Sequence, residues 1–303
     1  MITSVSDLNA GSTTGSLGES HVTAILQRVD ATRQAILATG GPGGGPLDPE
    51  SCLFLCFWDF DGTILKGDCC EGHAEGGRMI YTGLIEEIIR AGLAKGYPAS
   101  DQGVAKGIAD YRRTERELGS GTAYAFLAQM LDGAREEDVH ALAARHFRTA
   151  QMDHVFDSSF RIIEGLQAMG VVVHVVSASP DVFIQPIVAE LGLDAACCRG
   201  IRTEIHDGRI SSRLEHPVTY GSGKTAAVME DVVRTRYEHP DKQVFILAGF
   251  GNSHHTDGPF LDHIAAQNLP AGEPLAVMIN EQPKERPFFH VSQRAVRSGL
   301  SRS

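Results

Sequence analysis

Twelve consecutive residues carry the clearest structural signal in this chain: Cys52-Leu53-Phe54-Leu55-Cys56-Phe57-Trp58-Asp59-Phe60-Asp61-Gly62-Thr63. The first seven form a continuous apolar run, which is typical of a buried strand in a parallel sheet. Asp59 and Asp61 should therefore emerge together at the carboxyl end of that strand, where open α/β sheets bind their ligands. Alternate residues of a strand share a face, so both acids can serve one site while Phe60 points away. Two carboxylates this close repel each other unless a cation or a shared proton lies between them.

Length and composition indicate a globular protein. The chain has 303 residues, of which 42% are hydrophobic and 21% are charged, enough for one large domain with an insertion. Its formal net charge of -11 argues against nucleic acid or an anionic membrane as a partner, but not against a small or metal-bound substrate. The first 20 residues lack the pattern of a secretory signal, and no apolar run reaches membrane-spanning length. We therefore expect a cytoplasmic protein.

The six cysteines do not predict a metal site from their spacing. They stand at 52, 56, 69, 70, 197 and 198, without the paired C-x-x-C spacing of a zinc site. Cys69 and Cys70 follow the acidic motif closely, so a reactive thiol is one interpretation and simple packing is the other. The sequence assigns them no role.

The amino-terminal 46 residues read as an extension. Residues 1–20 are rich in Ser, Thr and Gly and are expected to be disordered. Residues 21–39 show an amphipathic helical pattern, and residues 40–46, GGPGGGP, have the composition of a linker. The folded enzyme-like part should begin near Leu47.

The rest of the chain predicts an α/β fold with an insertion. From 71 to 150, helical patterns dominate and convincing strand patterns are absent, since the pairs Met79-Ile80, Leu84-Ile85 and Ile88-Ile89 recur at helical spacing. We expect a helical cap there, inserted into a core formed by 47–70 and 151–303. In that core, strands are predicted at 171–176, 244–248 and 275–279, helices at 160–169, 182–191, 222–237 and 260–266, and a hairpin around Asp207-Gly208. This order is typical of a doubly wound parallel sheet covered by helices.

Polar side chains recur where the predicted strands end. Ser177 follows the strand 171–176, Lys224 opens a helix, and residues 252–257 follow the strand 244–248. Such positions face one crevice in a doubly wound sheet, together with Asp59 and Asp61. The set suits phosphoryl transfer: one carboxylate takes the phosphoryl group, and a second protonates the leaving oxygen and later deprotonates water. Oxygen ligands suit Mg²⁺, and a hydroxyl and a lysine can hold phosphoryl oxygens.

From 50 to 280, the sequence resembles the haloacid dehalogenase-like superfamily, within it the phosphoserine phosphatase-like members with a helical cap. Three motifs match in order: Asp59-Phe60-Asp61-Gly62-Thr63, Val175-Val176-Ser177 and Lys224. A fourth match is Asp207-Gly208-Arg209-Ile210, which resembles the hairpin that these phosphatases carry between the second and third motifs. The resemblance implies that Asp59 is the nucleophile and Asp61 the acid/base. It implies phosphate contacts from Thr63, Ser177, Ala178 and Lys224.

The acid at position 61 also distinguishes between enzyme classes within the superfamily. Dehalogenating members lack an acid at this position and transport ATPases have a different residue, so the resemblance implies a phosphatase or a phosphomutase. Sugar phosphomutases usually begin their fourth motif with Glu-Asp, which Gly251-Asn252-Ser253 does not resemble. Hydrolysis is the favoured reaction, with phosphomutase or phosphotransferase activity as the alternative.

The fourth motif departs from the family pattern in its expected metal ligand. Asn252 stands where Asp is common, so the expected Mg²⁺ ligands are Asp59, Asp61 and Asn252. An amide oxygen can bind Mg²⁺ but adds no charge, so weaker metal affinity is expected unless another acid compensates. A catalytically weakened pseudo-enzyme is therefore a further alternative. Asp257 is expected to help position metal-bound water or Lys224.

The substrate is expected to be a small phosphomonoester. The resemblance implies that the loop after the first motif helps to select its leaving group. An acid at Asp68, with Glu71 close by, would favour an amine-bearing substrate, although solvated loop carboxylates are the other interpretation. Against phosphoserine, the family's Ser-Gly-Gly is Ser177-Ala178-Ser179 here, and residues 122–131 contain no arginine. Phosphoethanolamine and phosphocholine are alternatives, with Tyr81, Tyr111, Tyr124 or Phe126 as cap aromatics. The oligomeric state is left open.

Overall fold

The structure is a computed structural model that describes residues 19–297. The predicted disordered segment lies outside these residues except for Glu19 and Ser20, which begin the first helix. The helices are α1 (Glu19–Thr39), α2 (Leu84–Arg90), α3 (Asp101–Leu118), α4 (Ser120–Gln129), α5 (Glu136–His146), α6 (Asp157–Ala168), α7 (Asp181–Glu190), α8 (Ser222–Glu238) and α9 (Gly258–Ala265). The strands are β1 (Cys52–Trp58), β2 (Gly72–Glu75), β3 (Arg78–Thr82), β4 (Val171–Pro180), β5 (Cys198–Ile201), β6 (Thr203–His206), β7 (Arg209–Leu214), β8 (Gln243–Gly251), β9 (Leu275–Ile279) and β10 (Phe289–Val291). Within residues 19–297, no helix has both the length and the hydrophobicity that crossing a bilayer requires.

A six-stranded parallel sheet forms the centre of the molecule, in the order β10-β9-β8-β1-β4-β5. The predicted fold class is therefore confirmed. Strand β1 lies between β4 and β8, and the chain builds the sheet outward from it in both directions. The carboxyl end of β1 is thus a topological switch point, the place where doubly wound sheets open a crevice.

Helices cover both faces of the sheet because β1 is apolar on both. Leu55 and Phe57 pack with residues of α8 and α9, including Val228 and Leu261. Phe54, Cys56 and Trp58 belong to the core on the other face, which includes residues of α1, α6 and α7. This alternation follows from the two-residue period of a strand, and it explains why the apolar run is continuous.

Helix α1 is part of that second core. Its residues Val22, Ile25, Val29 and Ile36 are buried. A side-chain carbon added to Gly165 of α6 would lie 2.6 Å from Cδ1 of Leu26, so the two helices approach closely. The amino-terminal helix therefore covers the sheet, although a glycine-rich segment separates it from β1.

The segment after β1 begins with a hairpin, so the expectation of helical structure throughout 71–150 was wrong at its start. Strands β2 and β3 pair antiparallel around Gly76 and Gly77, which both have positive φ. Met79 and Ile80 lie in β3 and are exposed, although their spacing from the next apolar pairs is helical. Two glycines that favour a tight turn override this short period. Helices α2 to α5 then follow as expected.

The strands that carry the site are longer than predicted, and two edge strands of the sheet were missed. Strand β4 continues to Pro180 and β8 to Gly251. The missed strands, β5 and β10, have only four and three residues. The predicted hairpin at Asp207-Gly208 is confirmed as β6 and β7, with positive φ at both turn residues. Ile210 of β7 exchanges backbone hydrogen bonds with Gly133 and Ala134, which joins the hairpin to the segment before α5.

Candidate active site

A cavity of about 290 Å³ opens at the carboxyl ends of β1 and β8. It lies at the switch point of the sheet, where the sequence predicts the site. Its lining comes from the first motif and the loop after it, from helices α4 and α8, from the end of β4 and from the loop after β8: Asp59, Asp61, Gly62, Gly67, Asp68, Tyr124, Ala178, Lys224, Asn252, Ser253 and Thr256.

Asp59 is fixed by contacts to both of its carboxylate oxygens. Lys224 Nζ donates a hydrogen bond of 2.5 Å to Oδ1, and Thr63 Oγ1 donates one of 2.7 Å to Oδ2. The backbone amide of Asp59 donates to the carbonyl of Phe250, which continues the pairing of β1 with β8 by one residue. The carboxylate is therefore buried, oriented and still part of the cavity lining.

Asp61 is held in a second, separate network. Its Oδ1 accepts a hydrogen bond of 2.7 Å from the backbone amide of Cys69, and its Oδ2 accepts one of 2.7 Å from Ser179 Oγ. The thiol of Cys69 lies 3.6 Å from the same Oδ2. The two acids thus line one cavity but depend on different neighbours.

Burial and neighbouring negative charges raise the pKa of both acids. The pKa of Asp59 rises to about 6, first because of burial and then because of the charge of Asp257, while Lys224 opposes the shift. The pKa of Asp61 also rises to about 6, through burial and the charge of Asp59. A carboxyl group that changes protonation near neutral pH suits proton transfer, and such shifts are common at functional sites.

Lys224 joins Asp59 to Asp257. Its ammonium group is completely buried. It donates a hydrogen bond of 2.7 Å to Asp257 Oδ1 in addition to the one it donates to Asp59. Burial alone would lower the pKa of Lys224, but Asp257 and Asp59 outweigh it and raise the pKa above its ordinary value. Lys224 therefore carries a positive charge at the cavity wall.

Asp257 organises the loop that follows β8. Its Oδ2 accepts hydrogen bonds from the backbone amides of Asn252 and Ser253, at 2.9 and 3.0 Å. Since its other oxygen is bound to Lys224, Asp257 is committed to positioning contacts and does not line the cavity. It is thus placed to orient Lys224 rather than to replace the acid missing at 252.

The side chain of Asn252 lies over Gly62. A carbon added to Gly62 would lie 1.8 Å from Nδ2 of Asn252, and Gly62 has φ of +75°, so glycine is needed there for both space and conformation. Asp59, Asp61 and Asn252, whose side chains all carry oxygen atoms, line one cavity. This donor set fits Mg²⁺, which prefers oxygen ligands, and a divalent cation would offset the repulsion that raises both pKa values.

Two residues predicted to contact phosphate, Thr63 and Ser177, do not line the cavity. Thr63 is completely buried and uses its hydroxyl on Asp59. Ser177 is also completely buried, and its Oγ accepts a hydrogen bond from the backbone amide of Ser179. Of the predicted phosphate-binding residues, Ala178 and Lys224 line the cavity.

Asp68 and Glu71, the two acids of the loop after the first motif, lie in different surroundings. Asp68 lines the cavity. Its Oδ1 accepts hydrogen bonds from the backbone amides of Cys70 and Glu71, and its Oδ2 accepts a hydrogen bond of 3.0 Å from Tyr124 Oη. Glu71 does not line the cavity. Its carboxylate accepts a hydrogen bond of 2.6 Å from Tyr111 Oη and forms a salt bridge with Arg112. Of the four aromatic residues considered, Tyr124 lines the cavity and the other three do not.

Ser179 and Cys69 are the functional neighbours that the sequence reasoning missed. Ser179 follows Ser177 by two residues on the same strand, so the period of a strand could have placed it on the same side of the sheet. Cys69 donates to Asp61 through its backbone amide, and a pattern of side-chain types cannot predict a backbone contact. Both contact Asp61 directly.

Comparison with known proteins agrees with this architecture. A solved structure of a protein with unknown function from Bordetella pertussis Tohama I is 16% identical, with a TM-score of 0.58 over 77% of this chain and 92% of that one. A functionally unknown protein from Anaerococcus prevotii DSM 20548 is 13% identical, with a TM-score of 0.54 over 86% of each chain. At these identities the likeness shows the fold. No curated protein sequence matches the chain.

The family is shown by sequence. The model of the haloacid dehalogenase-like hydrolase family matches residues 56–262, from inside β1 to α9. That range contains both acids of the first motif, Ser177, Lys224 and Asn252. The chain therefore belongs to the haloacid dehalogenase-like hydrolase family, as the sequence resemblance implies.

Proposed function

We propose that this chain is a Mg²⁺-dependent phosphatase that hydrolyses a small phosphomonoester through an aspartyl-phosphate at Asp59. The observation that carries the proposal is the joint presence of Asp59, Asp61 and Lys224 in one cavity at the switch point of the sheet. A buried, oriented carboxylate is a suitable nucleophile, and a second carboxylate with its pKa near 6 is a suitable proton carrier.

The two chemical steps follow from the contacts of the acids. The carboxylate of Asp59 attacks phosphorus, the ester P–O bond breaks, and Asp61 donates its proton to the leaving oxygen. Asp61 then accepts a proton from the water that attacks phosphorus, which releases phosphate and restores the Asp59 carboxylate. Lys224 contributes a positive charge beside the phosphoryl oxygens throughout.

Magnesium would be held by Asp59, Asp61 and Asn252. When bound, the ion supplies positive charge that offsets the charge of the phosphoryl group. Asn252 contributes an uncharged ligand, so we expect weaker magnesium binding than a third carboxylate would give. The hydrogen bonds from Thr63 and Ser179 keep the two acids oriented for this task.

We further propose that the leaving group carries an amine. Among residues 19–297, the cavity lining contains three carboxylates but one cation, Lys224, whose ammonium group already donates to Asp59 and Asp257. The pKa of Asp68 is raised well above its ordinary value by burial and by Asp61, so a nearby cation would stabilise its charged form. A leaving group with its own carboxylate or second phosphate would meet no free positive charge there. Phosphoethanolamine and phosphocholine therefore fit better than phosphoserine.

The test is a panel of phosphomonoesters assayed with and without Mg²⁺, for wild type and Asp59→Asn. We expect Mg²⁺-dependent release of phosphate that Asp59→Asn abolishes. Equal and negligible turnover by both proteins on every substrate would contradict the catalytic proposal, and retained ligand binding without turnover would favour the pseudo-enzyme. Transfer of the phosphoryl group to a second hydroxyl would identify a mutase or phosphotransferase instead.

A further inference from the structure

Cys69 and Cys70 place two thiol groups beside the acid/base position. Both residues are completely buried, and their Sγ atoms lie 3.8 Å apart. Sγ of Cys69 lies 3.6 Å from Oδ2 of Asp61. The proposed phosphatase mechanism uses neither thiol, so this arrangement calls for a separate explanation.

These separations match those of ligands around a tetrahedral metal ion. Zinc binds thiolate at about 2.3 Å and carboxylate at about 2.0 Å, which places two sulfur ligands about 3.8 Å apart and a sulfur and an oxygen about 3.5 Å apart. A carboxylate oxygen of Asp68 lies within 4.8 Å of both thiols. Within residues 19–297, Asp68, Cys69 and Cys70 form the one group of three such side chains close enough to share an ion.

The backbone of the same two cysteines holds the neighbouring carboxylates. The amide of Cys69 donates 2.7 Å to Asp61 Oδ1, and the amide of Cys70 donates 2.7 Å to Asp68 Oδ1. The carbonyl of Cys69 accepts 3.0 Å from Nε2 of Gln151, which ties the loop to the residues before α6. The thiols and carboxylates are therefore held together before any ion binds, which lowers the cost of ordering them.

We propose that Cys69 and Cys70, with the carboxylates of Asp61 and Asp68, form a site for a thiophilic divalent cation that inhibits the enzyme. Sulfur ligands favour Zn²⁺ or Cd²⁺ over Mg²⁺, so this site differs in selectivity from the all-oxygen site at Asp59 and Asn252. Each thiol that binds the ion releases its proton to solvent. Asp61 is common to both sites. Once its Oδ2 is a ligand of the soft cation, it no longer exchanges protons with the leaving group.

The binding itself is tested without any substrate. Cd²⁺ is titrated into the full-length protein in excess Mg²⁺, and the ultraviolet cadmium–thiolate absorbance is followed. We expect a band that saturates at one equivalent and an affinity that falls more than about 100-fold in Cys69→Ala and in Cys70→Ala. Cys198→Ala, which removes another buried thiol, is the matched control and should titrate like wild type. Circular dichroism checks that each variant is folded.

Two outcomes overturn the site: absence of the band in folded wild type at a tenfold excess of Cd²⁺, or an unchanged band in the folded Cys69→Ala/Cys70→Ala variant. Asp59→Asn should keep the band, because it alters the oxygen site alone.

The inhibitory role rests on the proposed phosphatase function, and its test is separable from the binding test. On an active substrate, Cd²⁺ should inhibit with the same midpoint as the band, excess Mg²⁺ should not relieve the inhibition, and Cys70→Ala should resist it. A saturated band with undiminished turnover would refute the inhibitory role. A saturated band in a protein that hydrolyses no phosphomonoester would support the thiol site and contradict the proposed function.

Discussion

Ser179, near the carboxyl end of strand β4, donates a 2.7 Å hydrogen bond to Oδ2 of Asp61 in the first motif. Ser179 is completely buried and does not line the cavity, so its hydroxyl acts through Asp61 rather than on a ligand. Ser177 orients it in turn, since the backbone amide of Ser179 donates to Ser177 Oγ at 3.0 Å. Ser177, which was expected to contact phosphate, and Ser179 thus form a chain of hydrogen bonds that ends on Asp61.

The first prediction is that Ser179→Ala lowers kcat and leaves KM nearly unchanged. A hydrogen bond to a charged group contributes about 1.5–3 kcal/mol, so a loss of about 10- to 100-fold is expected. Ser179→Thr, which keeps the hydroxyl, should recover part of the rate. Steady-state kinetics and the pH profile of kcat on any active phosphomonoester measure this. A rise in KM at constant kcat would instead assign Ser179 to substrate binding.

The second prediction concerns the buried charges around Lys224. Lys224→Met leaves Asp59 and Asp257 close together without their shared cation, so unfolding free energy in the presence of a chelator should fall by about 3–5 kcal/mol. The triple variant Lys224→Met, Asp59→Asn, Asp257→Asn removes all three charges and should regain much of that loss. Urea denaturation of the three proteins at neutral pH measures both values. Equal stability of Lys224→Met and the triple variant would show that the loss is one of packing.

The third prediction is that Asn252→Asp tightens Mg²⁺ binding and destabilises the metal-free protein. The added carboxylate supplies charge to the ion, but without the ion it adds a third negative charge beside Asp59 and Asp61. Thermal unfolding with a chelator and across a Mg²⁺ titration should show a lower starting Tm and a larger rise than wild type. If the Mg²⁺ midpoint does not move, residue 252 is not a ligand.

The positions at the ends of β1, β4 and β8 could be predicted from the sequence because one rule governs them. Parallel strands end at a common edge, so polar residues that follow apolar runs meet there, as Asp59, Asp61 and Asn252 do. Lys224 joins them from the first turn of α8. The rule does not specify side-chain direction, since Ser177 lies near the end of β4 but does not line the cavity.

Loop side chains could not be predicted in the same way. Glu71 follows Asp68 by three residues, yet it leaves the cavity because Tyr111, 40 residues further along the chain, binds its carboxylate. Whether a loop side chain lines the cavity depends on which helix packs against the loop, and the spacing of residues in the sequence does not predict that packing. Met79 and Ile80 show the same limit, since a short apolar repeat fits a helix and a strand equally well until the turn at Gly76 is considered.

The fourth prediction is that Asp68 selects an amine-bearing leaving group. Asp68→Asn should lower kcat/KM for phosphoethanolamine by at least about tenfold, as expected for loss of a charged hydrogen bond, and should change that for glycerol phosphate much less. Glu71→Gln is the matched control, because Glu71 lies three residues away but outside the cavity. Equal losses on both substrates would show that Asp68 supports the loop rather than the amine.

The fifth prediction follows from the raised pKa of Asp59 in the metal-free protein. Between about pH 4, the ordinary value for an aspartate, and about pH 6, the folded state keeps a proton on Asp59 that the unfolded state has already released. The group therefore stabilises the fold fully below pH 4, and this stabilisation is lost as the pH rises through 6. Asp59→Asn does not titrate, so between pH 4.5 and 7 the wild type should lose about 2 kcal/mol relative to the variant. Urea denaturation of both proteins in a chelator, at the two pH values, measures the difference. A difference of the opposite sign would mean that Lys224 outweighs burial and Asp257, and that the pKa of Asp59 is lowered in the folded protein.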